Sequence, residues 1–227
     1  MDNNYEALAQ RIDLPLLSPA LTDDDIVHGI HVASQQGLRC VVVRPSDIEL
    51  AARCANNAIA IGSVLDHPYG YSTTAAKQYA VRDLLRRGAK EIETPINFSK
   101  LVSRQFQYLE TELQQISQPC QEAGAIFKVS IDASLLTEEF IMLSCRILRR
   151  ARVDFLSTNT IASVPLIRAH SRERLQIKLY SGIDGLDAAL AACDSGCSRI
   201  EVSGVVALLE AWKEKAATAG EPATRLN

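Results

Sequence analysis

Lysines and carboxylates alternate with apolar residues in several short β-rich segments of this chain. In 125–132, Phe127, Val129 and Ile131 interleave with Lys128, Ser130 and Asp132; in 175–180, Leu175, Ile177 and Leu179 interleave with Gln176, Lys178 and Tyr180. Glu91 and Glu93 flank Ile92, Glu201 and Ser203 share a parity opposite Ile200 and Val202, and Arg44 ends its own segment. Side chains alternate across a strand, so the apolar parity packs against a covering layer and the charged parity shares the other face. Burying an ion is expensive unless it is paired. Such a face is therefore either a lattice of compensating ion pairs or a site. Lysines among carboxylates suit imine formation or proton transfer on a small polar substrate.

The elements that must hold these residues recur along the whole chain. Eight β-rich segments, 11–17, 39–44, 58–64, 91–95, 125–132, 153–157, 175–180 and 198–203, are separated by stretches of helical periodicity such as 23–36, 74–87, 138–150 and 186–193. Thr22 followed by Asp23, Asp24 and Asp25 provides a helix start, and Gly37, Gly88 and Gly196 mark helix ends. Alternation of this kind specifies parallel strands with helical crossovers, and eight units closing on themselves give a (β/α)8 TIM barrel. A doubly wound open sheet is the rival, but it would use fewer strands and a glycine-rich first turn, which Leu17-Ser18-Pro19 is not. In a barrel the charged parity faces the interior, and groups at the carboxyl ends of strands are placed for catalysis. Lys128 and Lys178, two strands apart, are expected roughly 10 Å from one another unless their side chains converge.

Composition narrows the rest. The 227 residues are 47% hydrophobic and 22% charged, which suits one globular domain, with a polar tail expected over 216–227. A net charge of −3 offers no basic stripe for nucleic acid; Arg86-Arg87 and Arg149-Arg150 are read as helix ends. No apolar run is long enough for a bilayer and the first residues are not a leader, so a cytoplasmic protein without membrane contact is expected. Six scattered cysteines fit a reducing compartment. Cys193 and Cys197, read as one helix face, lack the further ligands of a zinc site, so neither metal nor cofactor is expected. Of the histidines, His28 and His31 are placed on the first long helix and His170 after another; only His67 lies near the expected barrel mouth. Barrels of this kind commonly pair through their helices, which leaves a homodimer open without fixing the oligomeric state.

Several of these segments, in order from about Ile12 to Leu208, resemble the 2-deoxyribose-5-phosphate aldolase family. Ile12-Asp13-Leu14-Pro15-Leu16-Leu17 is similar to the family's Ile-Asp-His-Thr-Leu-Leu, Pro45-Ser46 to its Asn-Pro-Ser, and His67-Pro68-Tyr69-Gly70 with Thr73, Thr74 and Lys77 to its Phe-Pro-x-Gly and Thr-Thr-x-x-Lys. Glu91-Ile92-Glu93 resembles Glu-Ile-Asp, Lys128-Val129 with Asp132 resembles Lys-Val-Ile-x-Glu, and Ile177-Lys178 before Ser181-Gly182 resembles the Lys-x-x-Gly-Gly segment. The resemblance implies an aldolase-type carbon–carbon lyase on a TIM barrel, acting on a small aldehyde or sugar phosphate. It casts Lys178 as the second active-site lysine, Glu93 in the place of the catalytic aspartate, and Asp13, Lys128 and Asp132 as further catalytic residues. It also makes Ser157, Gly182, Ser203 and Gly204 the substrate- and phosphate-binding set.

The departures matter equally. In Val153-Asp154-Phe155-Leu156-Ser157-Thr158, Ser157 stands where the family carries its imine-forming lysine, and a hydroxyl cannot form an imine. Ile161 and Ser181 replace glycines of the phosphate region, where backbone amides would cradle an anion. Two further readings follow: a metabolite-binding homologue without catalysis, or carboxylate acid–base chemistry on a sugar phosphate, which needs only Glu93, Asp132 and Lys178.

Overall fold

The computed structural model describes residues 5–172 and 174–218. Eight parallel strands close into a barrel in sequence order: β1 (Ile12–Leu16), β2 (Cys40–Val43), β3 (Ala60–Val64), β4 (Glu91–Pro95), β5 (Ile126–Ile131), β6 (Phe155–Thr158), β7 (Gln176–Leu179) and β8 (Arg199–Glu201). Closure is made by β1 and β8, with Asp13 opposite Glu201. Around them lie α1 (Tyr5–Ala9), α2 (Asp23–Gln35), α3 (Ile48–Ala55), α4 (Thr74–Arg86), α5 (Phe98–Val102), α6 (Phe106–Glu122), α7 (Glu138–Arg150), α8 (Val164–Ser171), α9 (Leu186–Ser195) and α10 (Val205–Thr218).

Local chemistry sets the helix boundaries. Thr22 caps α2 in a reciprocal capping box with Asp25, and Thr73 caps α4 by accepting from the Ala76 amide. Gly196 ends α9 in the left-handed region at φ 111°, where a side chain would be strained. Helix α10 runs to Thr218, into the stretch expected as a tail; 219–227 lie outside the described residues. His170 lies within α8 rather than after it, and Cys197 falls beyond the end of α9, so Cys193 and Cys197 do not share a helix face.

Strand parity decides what the barrel contains. Val41, Val43, Ile61, Ile92, Phe127, Val129, Leu156, Ile177, Leu179 and Ile200 join the large core between strands and helices. Among the described residues the opposite parity encloses few apolar side chains, Cys40, Val42 and Val64 with the Phe155 ring, beside the charges. Burying a large apolar side chain is worth about 1.5–3 kcal/mol, so a one-residue slip of β5 or β7 would expel those contacts and drive lysines into the shell. The register is thereby fixed. It sets Glu93 opposite Lys128, Ser157 opposite Lys178, and Lys178 opposite Arg199.

Candidate active site

The barrel interior holds two stacked ionic layers. In the deeper one, Lys128 Nζ lies 2.7 Å from Asp13 Oδ2 and 2.5 Å from Glu91 Oε2. Arg199 reaches the other Asp13 oxygen and approaches Glu91 Oε2 at 3.1 Å, with the Phe155 ring against both cations. Two carboxylates thus face two cations. Burial favours the neutral acid of Asp13, but Lys128, Lys178 and Arg199 outweigh it and hold this carboxyl well below the usual range. Arg199 was not among the expected site residues; it lies on the same parity as Glu201, and that alternation was the signal for it.

The upper layer centres on Lys178. Its ammonium is 2.7 Å from Glu93 Oε2, 2.6 Å from Glu201 Oε2 and 3.4 Å from Asp13 Oδ2. Lys128 and Lys178 therefore converge on one Asp13 oxygen despite the intervening strand. Burial alone would lower the Lys178 pKa, yet Glu93, Glu201 and Asp13 raise it well above its ordinary value, so the amine is held protonated. The two glutamates diverge. Burial acts to raise both, but Lys178 and Lys128 pull Glu93 below the ordinary range, whereas Glu201 stays above it under burial and the repulsion of Glu93. Beside them the buried Ser157 hydroxyl faces Glu93 without completing a well-formed hydrogen bond.

A cleft of about 390 Å³ opens above this layer, lined by residues that include Glu93, Glu201, Asp132, Tyr180, His67, Tyr69 and Tyr71. Lys178 has no exposure, while the side chains of Glu93 and Glu201 retain 12% and 17%. The carboxylates, not the amine, meet whatever occupies the cleft. Tyr180 donates to the Ile131 carbonyl at 3.1 Å, and burial with nearby carboxylates pushes its phenol up to about 12. Burial also lowers the His67 pKa, which favours the neutral ring.

Asp132 stands apart from the lysines. Its Oδ1 accepts from the Ser134 amide at 3.1 Å and from Asn159 Nδ2 at 2.6 Å, which pins it on the cleft wall after β5. Gly182, Ser203 and Gly204 are exposed, and none lines the cleft. Ser203 lies past the end of β8, and Gly204 immediately precedes α10. Arg44 turns away from the interior to Asp47 at 2.6 Å and to carbonyls of the loop after β1.

The wall of the cleft after β3 is anchored from outside the barrel. The buried Lys77 ammonium donates to the Gly70 carbonyl and to Glu112 Oε2, both at 2.9 Å, and lies 3.6 Å from Asp66. Asp66 in turn accepts from Ser72. Elsewhere, Asp13, Cys40 and Glu91 bring three potential metal-ligand atoms within 4.8 Å of one another. Lys128 and Arg199 already supply the positive charge there, so the donor set does not fit a metal ion well.

No family model matches the chain. The chain is 31% identical over 220 residues to deoxyribose-phosphate aldolase of Bacteroides thetaiotaomicron, covering 93% of this chain and 92% of that protein. Identity to the deoxyribose-phosphate aldolase of Halalkalibacterium halodurans is 30% over 213 residues, covering 89% and 95%. Among solved structures, the aldolase QR15 matches with a TM-score of 0.87 at 25% identity, covering 93% of this chain and 98% of that one. The tetrameric deoxyribose phosphate aldolase of Aeropyrum pernix matches at 0.86 and 26% identity, covering 93% of each.

Proposed function

This chain belongs to the deoxyribose-phosphate aldolase family, and from that premise we propose a carbon–carbon lyase that works by carboxylate acid–base chemistry on a small carbonyl compound. In this reading Ser157 occupies the place of the imine-forming lysine. Glu93, held ionised, is the base, and Glu201, inclined to carry a proton, is the acid. Glu93 takes the proton of the β-hydroxyl, and the carbon–carbon bond to the α-carbon breaks as a carbonyl forms on one fragment. The released electron pair makes the second fragment's enol as Glu201 protonates its oxygen. Lys178 holds both carboxylates in place, with Asp13 and Lys128 positioning Lys178 and Asp132 bounding the substrate.

One observation carries this reading: the lysine is sealed behind two carboxylates that themselves reach the cleft. The test pairs deuterium exchange at the α-carbon of small aldehydes and ketones, followed by NMR, with borohydride trapping and peptide mass analysis. Exchange without a reduced adduct near neutral pH is expected. Adduct on Lys178, if it forms, should appear only as the medium turns alkaline. A Lys178 adduct at neutral pH would replace this mechanism with an imine one, and exchange absent for every carbonyl tested would favour a binding protein.

A further inference from the structure

We propose that the cleft selects an unphosphorylated ligand carrying a protonated amine on a small apolar or aromatic body. The proposal rests on the cleft being the site described above, and it names the class of molecule that site accepts.

Charge is the first argument. Glu93, Glu201 and Asp132 line the cleft and no lysine or arginine among the described residues does; with Glu201 carrying a proton, Lys178 behind the wall compensates Glu93 and leaves the Asp132 charge unbalanced. A phosphate brought here would meet an excess of negative charge and no exposed cation. One carboxylate oxygen is also uncommitted: Asp132 Oδ2 accepts no hydrogen bond from the described residues. An ammonium supplies three donors and no acceptor, which is what such an oxygen lacks.

The remaining lining supplies the second, independent argument. Leu17, Val42, Val64, Ile96, Phe98 and Leu135 make most of the wall apolar. Tyr69 and Tyr71 stack with ring centroids 5.4 Å apart at an interplanar angle of 15°, and both are more than 60% exposed at its edge. Aromatic faces attract cations and apolar bodies but offer little to a phosphate. The loops expected to cradle phosphate point the same way. Asp184 follows Gly182 in the loop after β7, and Asp187 lies in the first turn of α9, so this helix start already has its own anion. Asp187 is paired with Lys215 at 3.2 Å, which engages that cation as well.

Calorimetric or NMR titration of the intact protein with 2-phenylethylamine, 2-phenylethanol and phenyl phosphate tests the proposal. The amine should bind roughly five- to tenfold more tightly than the alcohol at low salt, with the advantage shrinking as salt rises. Phenyl phosphate should bind more weakly than either. Asp132→Asn should pull the amine towards the alcohol, and Tyr71→Ala should weaken amine and alcohol alike. Equal binding of amine and alcohol, tighter binding of phenyl phosphate, or no binding of any probe at about 10 mM would overturn it. Because these readouts need no turnover, an amine that binds while carbonyl exchange fails would sink the acid–base mechanism and leave the ligand class standing.

Discussion

The two ionic layers of the barrel are built from the same residue types and stand in different electrical states. In the deeper layer Asp13 and Glu91 meet Lys128 and Arg199, and all four side chains are buried. In the upper layer one ammonium serves Glu93, Glu201 and a share of Asp13, and its glutamates open onto the cleft. The contrast separates two uses of buried charge. A balanced, sealed layer holds the strands together, whereas an acid-rich layer with a solvent path leaves one carboxyl able to carry a proton. If that division holds, mutations in the two layers must fail in different ways.

The largest effect belongs to the deeper layer. Arg199→Met strips a partner from two buried carboxylates and should cost about 3–5 kcal/mol, read from urea unfolding. Lys178→Met should cost less, about 1–2 kcal/mol, because Glu201 can take a proton and both glutamates reach solvent. It should also abolish α-proton exchange. Equal losses at the two positions would erase the proposed distinction.

The pH dependence sharpens it. Lys178 has a folded pKa well above its ordinary 10.5, so its stabilisation is complete below that value and is lost as pH rises through the folded pKa. Stability should thus fall on the alkaline side, less steeply in Lys178→Met. Asp13 has the opposite sign: its contribution is present above the unfolded value, near 3.8, and is lost as pH falls through its depressed folded pKa. Glu201, whose folded pKa is raised, costs stability once ionised and so resists acid unfolding instead. Potentiometric titration with denaturation curves at several pH values would check both limbs.

The smallest effect expected is a gain. Ser157→Lys places an amine beside Lys178, across the register from it, and should give partial imine trapping or slow cleavage of deoxyribose 5-phosphate. Recovery stays partial because Glu93 and Glu201 would hold any new ammonium protonated and the loop after β7 carries Asp184. A folded variant with its new amine inside the barrel and no adduct at millimolar aldehyde would count against a retained aldolase pocket.

Strand parity explains how much of this could be read in advance. Lys128 and Lys178 announced their inward orientation because Phe127, Val129, Ile177 and Leu179 leave only one face for them, and the barrel followed from eight such units. Convergence of the two ammonium groups on Asp13 was not legible, since it depends on side-chain reach across the barrel rather than on strand spacing. Arg199 shares the parity of Glu201, but it opens its strand, at the end of the barrel away from the carboxyl ends where site residues were sought. Asp132 was aimed inward correctly, but its capture by Asn159 and Ser134 at the rim depends on a loop after β6 that no periodicity describes. The same limit applies to Ser203: the strand ends at Glu201, so parity stops governing it.

The Lys77 anchor makes the aromatic wall of the cleft an exchangeable part with fixed mounting points. Tyr69 and Tyr71 ride on a loop whose hold comes from Lys77 on α4, Glu112 on α6 and Asp66 at its own start, and not from the ions in the barrel. Thr74 and Tyr108 brace the same Glu112 carboxylate from the helix surface. A graft of residues 66–72 from another barrel should therefore seat properly only when the residues facing positions 77 and 112 travel with it. By the same token, ligand preference can be rewritten here while the charged interior, and the stability it carries, is left alone.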